Sequence, residues 1–458
     1  MAEFSTLPGE LGCKYRDVGA KRKFQVILHK ILHRFMKILI SQVKITDPLS
    51  PFHGSIKDIL IDGTHILKIA DKISEKVNQT ILEQNLQASP GWVDPFADFC
   101  DPGYEFRETL DSGAAAAAAG GFTRVFTLPS TKPVVDSKAQ VEYIVQRSAT
   151  LPINIHPLGA ITKKTEGKEL AEMYDMRNSG AIAFSDGLEP VQSAGLFLKA
   201  LQYVKAFDGV LVQVPIDQSI GSGGLMNEGI ISTQLGLPGL PAIAEELMIK
   251  RDLELLRYTQ SRLHITAITT QNSIALIKAA KKEGLQVSCS VTPYHLFFSD
   301  EDMQRYDTNL KLNPPLRSKT DVIALRRAVL DGTIDCIASH HLPQDWDHKT
   351  CEFEYAKPGM LGLQTLFAVI NETLPELTDE RLVQLFSLNA RSIFRLPGSS
   401  IAEGAEAEMS LFSKTAVSTL SRTNLMSKSA NSPFLDHALK GKVFGIIHKG
   451  KLSLNNQP

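Results

Sequence analysis

The chain has 458 residues, 43% of them apolar, and a formal net charge of −1. That length can bury a large core, and the balanced charge gives no global bias toward nucleic acid or acidic ligands. Five cysteines (Cys13, Cys100, Cys289, Cys336, Cys351) are widely spaced without a Cys-x-x-Cys pair. Neither a disulfide framework nor a structural zinc site is indicated, so a cytoplasmic, reducing compartment is expected. No apolar run approaches the roughly 20 residues that cross a bilayer, so no membrane span is expected.

Residues 1–35 stand apart. Lys21-Arg22-Lys23-Phe24 through Phe35 alternates basic and apolar residues, the pattern of a cationic amphipathic helix suited to a membrane surface. The plainer expectation is a poorly ordered extension, or an upstream start with Met36 as the natural beginning, because Met36-Lys37-Ile38-Leu39-Ile40 opens the first regular strand pattern.

Residues 36–88 then read as short strands centred on Ile38–Ile40, Ile59–Ile61 and Ile66–Lys68. From 89 to 399 the chain alternates strand and helix. Eight candidate strands centre on Trp92-Val93, Val125–Thr127, Ile153–Ile155, Ala181–Phe184, Val210–Val212, His264–Thr266, Val287–Cys289 and Ile334–Ile337. Helical stretches between them include Ala114–Ala119, Ala242–Tyr258, Ile274–Lys282 and Val322–Leu330. Eight such units match the size of an α/β (β/α)₈ TIM barrel, typically about 250 residues plus insertions. Residues 400–456 return to short strands, Met409–Phe412 and Val443–Ile447. Neither end is long enough to bury a good core alone, so 36–88 and 400–456 are expected to combine into one small β-sandwich beside the barrel.

The motifs are more specific than the rhythm. Ser89 to Gly103 reads Ser-Pro-Gly-Trp-Val-Asp-Pro-Phe-Ala-Asp-Phe-Cys-Asp-Pro-Gly. Glu108-Thr109 precedes the Gly113–Phe122 helix segment, and Gly223-Gly224-Leu225-Met226-Asn227-Glu228-Gly229, Val291-Thr292-Pro293, Asn313-Pro314-Pro315-Leu316-Arg317 and Leu385–Ala390 follow in order. This succession resembles the longer, bacterial branch of the dihydroorotases, within the cyclic amidohydrolases of the amidohydrolase superfamily. The resemblance covers almost the whole chain after Met36.

That resemblance implies a metal site at the C-terminal ends of the strands, and most of its positions are altered here. Where the family carries two zinc-binding histidines and a carboxylate-binding arginine on the first loop, this sequence has Phe96, Asp98 and Cys100. Ser130 replaces the asparagine facing the substrate carboxylate, while Asn313 remains. Asp186 stands for the bridging carboxylate of strand four, Val212-Gln213-Val214 offers no histidine, and Ala267 occupies the strand-six position. His264, three residues earlier, reads as a buried strand residue. His340 takes the place of the general-base aspartate.

Three classes of function follow from these residues. The first is a noncatalytic homologue acting as a structural or regulatory subunit linked to pyrimidine biosynthesis, with no metal or other cofactor. By resemblance its partner would be aspartate carbamoyltransferase, or it would self-associate. The second is a cyclic-amide hydrolase with a rewired or metal-free site, in which Asp98, Asp186 and His340 would be the metal ligands should zinc bind. His341, Asp345, Asp347 and His348 lie close in sequence to that site, although a solvated loop is the plainer reading. The third is a small-molecule-binding protein with an apolar pocket lined by Phe96, Phe99 and Ala267.

Overall fold

A computed structural model describes residues 36–455; the expectations for 1–35, and the last residue of the 400–456 segment, fall outside the described residues. Eight parallel strands form the barrel: Trp92–Ala97, Phe122–Thr127, Asn154–Gly159, Ala183–Phe184, Val210–Gln213, Arg262–Ile265, Val287–Val291 and Cys336–Ile337. Each pairs with the next in chain order. The circle closes between first and last, where Ala97 bridges His341 and the Asp98 N–H donates to the His341 carbonyl at 2.8 Å.

The strands read as apolar runs because both faces are covered. One face fills the barrel with Val93, Phe96, Phe126, Leu158 and Val212, against which Phe394 of the helix Asn389–Phe394 packs. The other packs against the surrounding helices through residues such as Trp92, Val125, Leu211 and Ile265. The first crossover helix, Leu110–Ala119, starts at the Thr109 cap, whose hydroxyl accepts from the Ser112 N–H. Its small residues allow close approach: a Cβ on Gly113 would lie 2.6 Å from the Phe99 ring.

The two ends of the chain meet as expected. Strands Lys37–Ile45, Ile56–Asp62, His65–Ala70, Gln79–Ile81 and Gln87–Pro90 join Met409–Thr419, Ala438–His448 and Lys451–Leu454. Hydrogen bonding runs through all eight as one continuous sheet, and Ile38, Ile40 and Ile59 share a core with Met409, Leu411 and Ile447. The joint with the barrel is ionic at its centre. Glu408 accepts from Arg124 Nε and Nη2, both at 2.9 Å, from Arg391 Nη2 at 2.5 Å and from the Thr123 hydroxyl at 2.7 Å. These guanidinium contacts hold its carboxyl below the usual range against the upward push of burial. Among the described residues no helix is long and apolar enough to cross a membrane.

Candidate active site at the barrel mouth

The C-terminal ends of the strands bring the sequence-identified residues to one face of the barrel but give them separate partners. Phe96, 1% exposed, ends the first strand pointing inward. Its ring stacks on that of His340, with centroids 4.2 Å apart and planes 23° apart. His340, at φ +42, turns Nε2 to the Thr266 hydroxyl at 2.7 Å. Burial, reinforced by His295 and His264, lowers its pKa to about 3, so the imidazole is neutral.

Asp98 is buried, which raises its pKa. Its Oδ1 accepts from the Cys100 N–H at 2.7 Å in a local turn that holds Cys100 at φ +59. Burial, then the nearby Asp98 carboxylate, pushes the Cys100 thiol upward, which suppresses thiolate chemistry. Asp186 is also committed. Oδ1 accepts from the N–H groups of Ile161 and Thr162 at 2.8 and 2.9 Å, and Oδ2 from the Thr162 hydroxyl at 2.5 Å. Burial outweighs these bonds and raises its pKa to about 6.

Ser130 is half-buried beside Gly187, where an added Cβ would come 2.4 Å from its Oγ. Ala267 is buried at φ +55, and Asn313 is exposed at the rim. His264 is the buried strand residue expected, bonded to Ser288 and Ser290.

The acidic and histidine-rich stretch after strand eight does not converge on His340. His341 points the other way, accepting the Gly362 N–H on Nδ1 and approaching Glu108 through Nε2 at 3.4 Å. His348 pairs with Asp345 on the outer loop, and Asp347 is exposed. Among the described residues, no group of three or more His, Cys, Asp or Glu side chains is placed to hold a metal ion. Asp98, Asp186 and His340 are not brought together.

Phe96, Thr292, Tyr294, His295 and His340 line the cavity at the mouth, which measures about 20 Å³. That is room for about one water molecule. Phe99 and Ala267 do not line it: Phe99 packs outward onto Gly113 of the first helix. A wider vestibule of about 480 Å³ lies beside it, between the glycine-rich 221–225 loop and residues 354–358.

Two further buried carboxylates lie here, to which the sequence assigned no role. Asp94 is fully buried, accepts from the Ser339 N–H and hydroxyl, and has its pKa raised by burial to about 7. Glu108 accepts from Ser112, Ser427 and the Lys428 N–H, anchoring the 424–431 loop to the barrel. Burial pushes its carboxyl up, but the bonds from His341, Ser112 and Ser427 prevail and lower its pKa. The Gly-Trp-Val-Asp and Glu-Thr motifs marked both residues, without telling their partners.

Comparison with known proteins agrees with this architecture. Residues 88–273 match a family model described as dihydro-orotase-like. The dihydroorotase of Syntrophus aciditrophicus is 36% identical over 422 residues, spanning 91% of this chain and 99% of that protein. The chain belongs to the dihydroorotase family. A second dihydroorotase, from Pelotomaculum thermopropionicum, is 37% identical over 427 residues, covering 92% of this chain and 99% of its own. In solved structures, the L-hydantoinase (dihydropyrimidinase) of Arthrobacter aurescens superposes with a TM-score of 0.80 at 21% identity, over 92% of this chain and 97% of that one. The D-hydantoinase of a Thermus species gives 0.77 at 17% identity, over 92% and 95%. These structural likenesses agree with the barrel fold of this dihydroorotase-family chain.

Proposed function

We propose that this dihydroorotase-family chain is catalytically inactive and acts as a structural or regulatory subunit linked to pyrimidine biosynthesis. One observation carries the reading: Phe96 lies flat on His340 at the mouth, where hydrolysis requires donor atoms around an open space. The remaining 20 Å³ admits a water molecule and is far too small for a six-membered cyclic amide.

The donor set does not suit zinc. Zinc hydrolysis needs imidazole, thiolate or carboxylate ligands converging on the ion, with one position left for water. Phe96 and Ala267 carry no donor, Asp98 is engaged with Cys100, and Asp186 is engaged with Ile161 and Thr162. No cofactor is therefore expected. Substrate recognition is weakened as well, because neither Cys100 nor Ser130 can replace the bidentate charge-assisted bonds of an arginine.

The fold-building motifs, in contrast, keep structural work. Arg317 of Asn-Pro-Pro-Leu-Arg donates to Asn227 Oδ1 of the glycine-rich motif at 3.0 Å, to the Leu240 carbonyl at 2.7 Å and to the Thr269 hydroxyl at 3.0 Å. A barrel maintained without its chemistry acts through its outer surface, and a stable complex buries at least about 1,000 Å². The partner this reading expects is aspartate carbamoyltransferase or a second copy of the chain. The vestibule of about 480 Å³ favours a second reading, small-molecule binding.

Copurification and size-exclusion chromatography test the first reading. Assembly with aspartate carbamoyltransferase, or a homo-oligomer, is expected to survive Asp98→Asn, Asp186→Asn and His340→Ala. A strict monomer with no effect on carbamoyltransferase activity or assembly would remove the subunit role and leave small-molecule binding in the lead.

A further inference from the structure

A continuous line of hydrogen bonds crosses the barrel interior from mouth to floor, and the subunit role makes no use of it. It begins at His340, whose Nε2 lies 2.7 Å from Thr266 Oγ1. Thr266 Oγ1 is 2.8 Å from Ser290 Oγ, and Ser290 Oγ is 3.0 Å from His264 Nε2. His264 Nδ1 is in turn 2.9 Å from Ser288 Oγ. Strand geometry produces the line. His264 and Ser288 are register partners on adjacent parallel strands, and residues two apart on a strand share a face, so Thr266 and Ser290 follow on the same side.

Both ends open onto cavities. The His340 ring lines the small mouth cavity, and among the described residues none hydrogen-bonds its Nδ1. Ser288, half-buried, lines a separate cavity of about 230 Å³ with Val210, Arg262 and Asp335 at the N-terminal ends of the strands. No charged side chain interrupts the line. Burial lowers the pKa of both His264 and His340 to about 3, which keeps both imidazoles neutral.

We propose that Ser288, His264, Ser290, Thr266 and His340 form a proton relay joining the floor of the barrel to its mouth. Every member is a hydroxyl or a neutral imidazole, able to donate one hydrogen bond along the line and accept another, so two opposite proton orders are available. In the first, Ser288 donates to His264 Nδ1, His264 Nε2–H to Ser290, Ser290 to Thr266 and Thr266 to His340 Nε2, leaving a proton on His340 Nδ1 at the mouth. In transfer, His340 gives that Nδ1 proton to a water or ligand base at the mouth and takes the Thr266 proton on Nε2. Thr266 is refilled from Ser290, Ser290 from His264 Nε2, His264 Nδ1 from Ser288, and Ser288 from a water-borne proton at the floor. One O–H or N–H bond breaks for each that forms, and every member ends neutral. The net result is one proton moved from floor to mouth and a His340 Nδ1 changed from donor to acceptor.

Nitrogen-15 NMR of histidine-labelled full-length protein at pH 7 reads the relay directly, because Nδ1 and Nε2 shifts report the tautomer. In the wild type, His264 and His340 should both be neutral, with shifts averaged between tautomers. Ser290→Ala does not touch His340, yet it should move His340 toward a single tautomer, whereas Ser290→Thr, which keeps the hydroxyl, should preserve averaging. Thr266→Val is isosteric and breaks a different link, so it should change the tautomer of His264, to which Thr266 is joined only through Ser290; it also carries the test alone should Ser290→Ala fail to fold. A single fixed tautomer for both histidines in the wild type would overturn the relay. So would variants that leave the distant histidine unchanged.

Discussion

Asp186 is the residue whose replacement most sharply separates a retained catalytic group from a structural one. Its carboxylate satisfies the N–H groups of Ile161 and Thr162 and the Thr162 hydroxyl, all buried. Asp186→Ala strands both backbone donors. At about 1–3 kcal/mol for each unsatisfied buried group, the loss should be about 2–6 kcal/mol, a large share of the stability of a typical domain. Asp186→Asn keeps the Oδ1 acceptor and removes the buried charge, so it should cost less than about 1 kcal/mol at pH 7. The pH dependence adds a second signature. The folded-state pKa of about 6 lies above the ordinary value of 3.8, so the folded protein binds the proton more tightly. Asp186 therefore contributes stability below pH 3.8 that is lost as pH rises toward 6. At about 1.4 kcal/mol per unit the swing is about 3 kcal/mol, and Asp186→Asn should abolish it. Urea unfolding of the three proteins between pH 4 and 7 measures both effects. An Ala variant as stable as wild type, or an Asn variant as damaging as Ala, would refute the structural assignment.

Glu408→Gln should destabilise by about 3–5 kcal/mol in urea titration, because it leaves the buried Arg124 and Arg391 without their shared counter-charge. Burial depresses the pKa of His156 and His264 to about 3 and of His295 and His448 to about 4. Their unfolded forms take up protons first, and four such groups outweigh the opposite pull of Asp94 and Asp186, whose raised pKa values favour the folded state at lower pH, so the melting temperature should fall as pH drops below about 6.5, the ordinary histidine pKa. A melting temperature that stays flat from pH 7 to 5 would contradict this. Gly113→Ala should cost about 1–3 kcal/mol through collision of its Cβ with Phe99, measured by the same titration.

The eight barrel strands were legible because each is a short apolar run between turn signals, and apolar runs covered on both faces need little else to be recognised. The meeting of the two chain ends was legible from their inability to bury a core alone. Gln79–Ile81 and Gln87–Pro90 were missed as sheet strands because they are three and four residues long, one carrying a proline, and they pair with partners distant in sequence. At the mouth, motif positions located Phe96 and His340, but their stacking depends on the closure of strand one against strand eight. The contact between Asn227 and Arg317 is likewise tertiary, 90 residues apart in sequence. Ser288, Ser290 and Thr266 look like ordinary strand residues until the parallel register aligns them.

The central claim is that the altered mouth no longer hydrolyses a cyclic amide, and the most direct measurement is the turnover of dihydroorotate by the purified protein, with and without added zinc. The account predicts no rate above the uncatalysed reaction in either condition, for the wild type and for His340→Asp alike. Turnover that His340→Ala abolishes would contradict it.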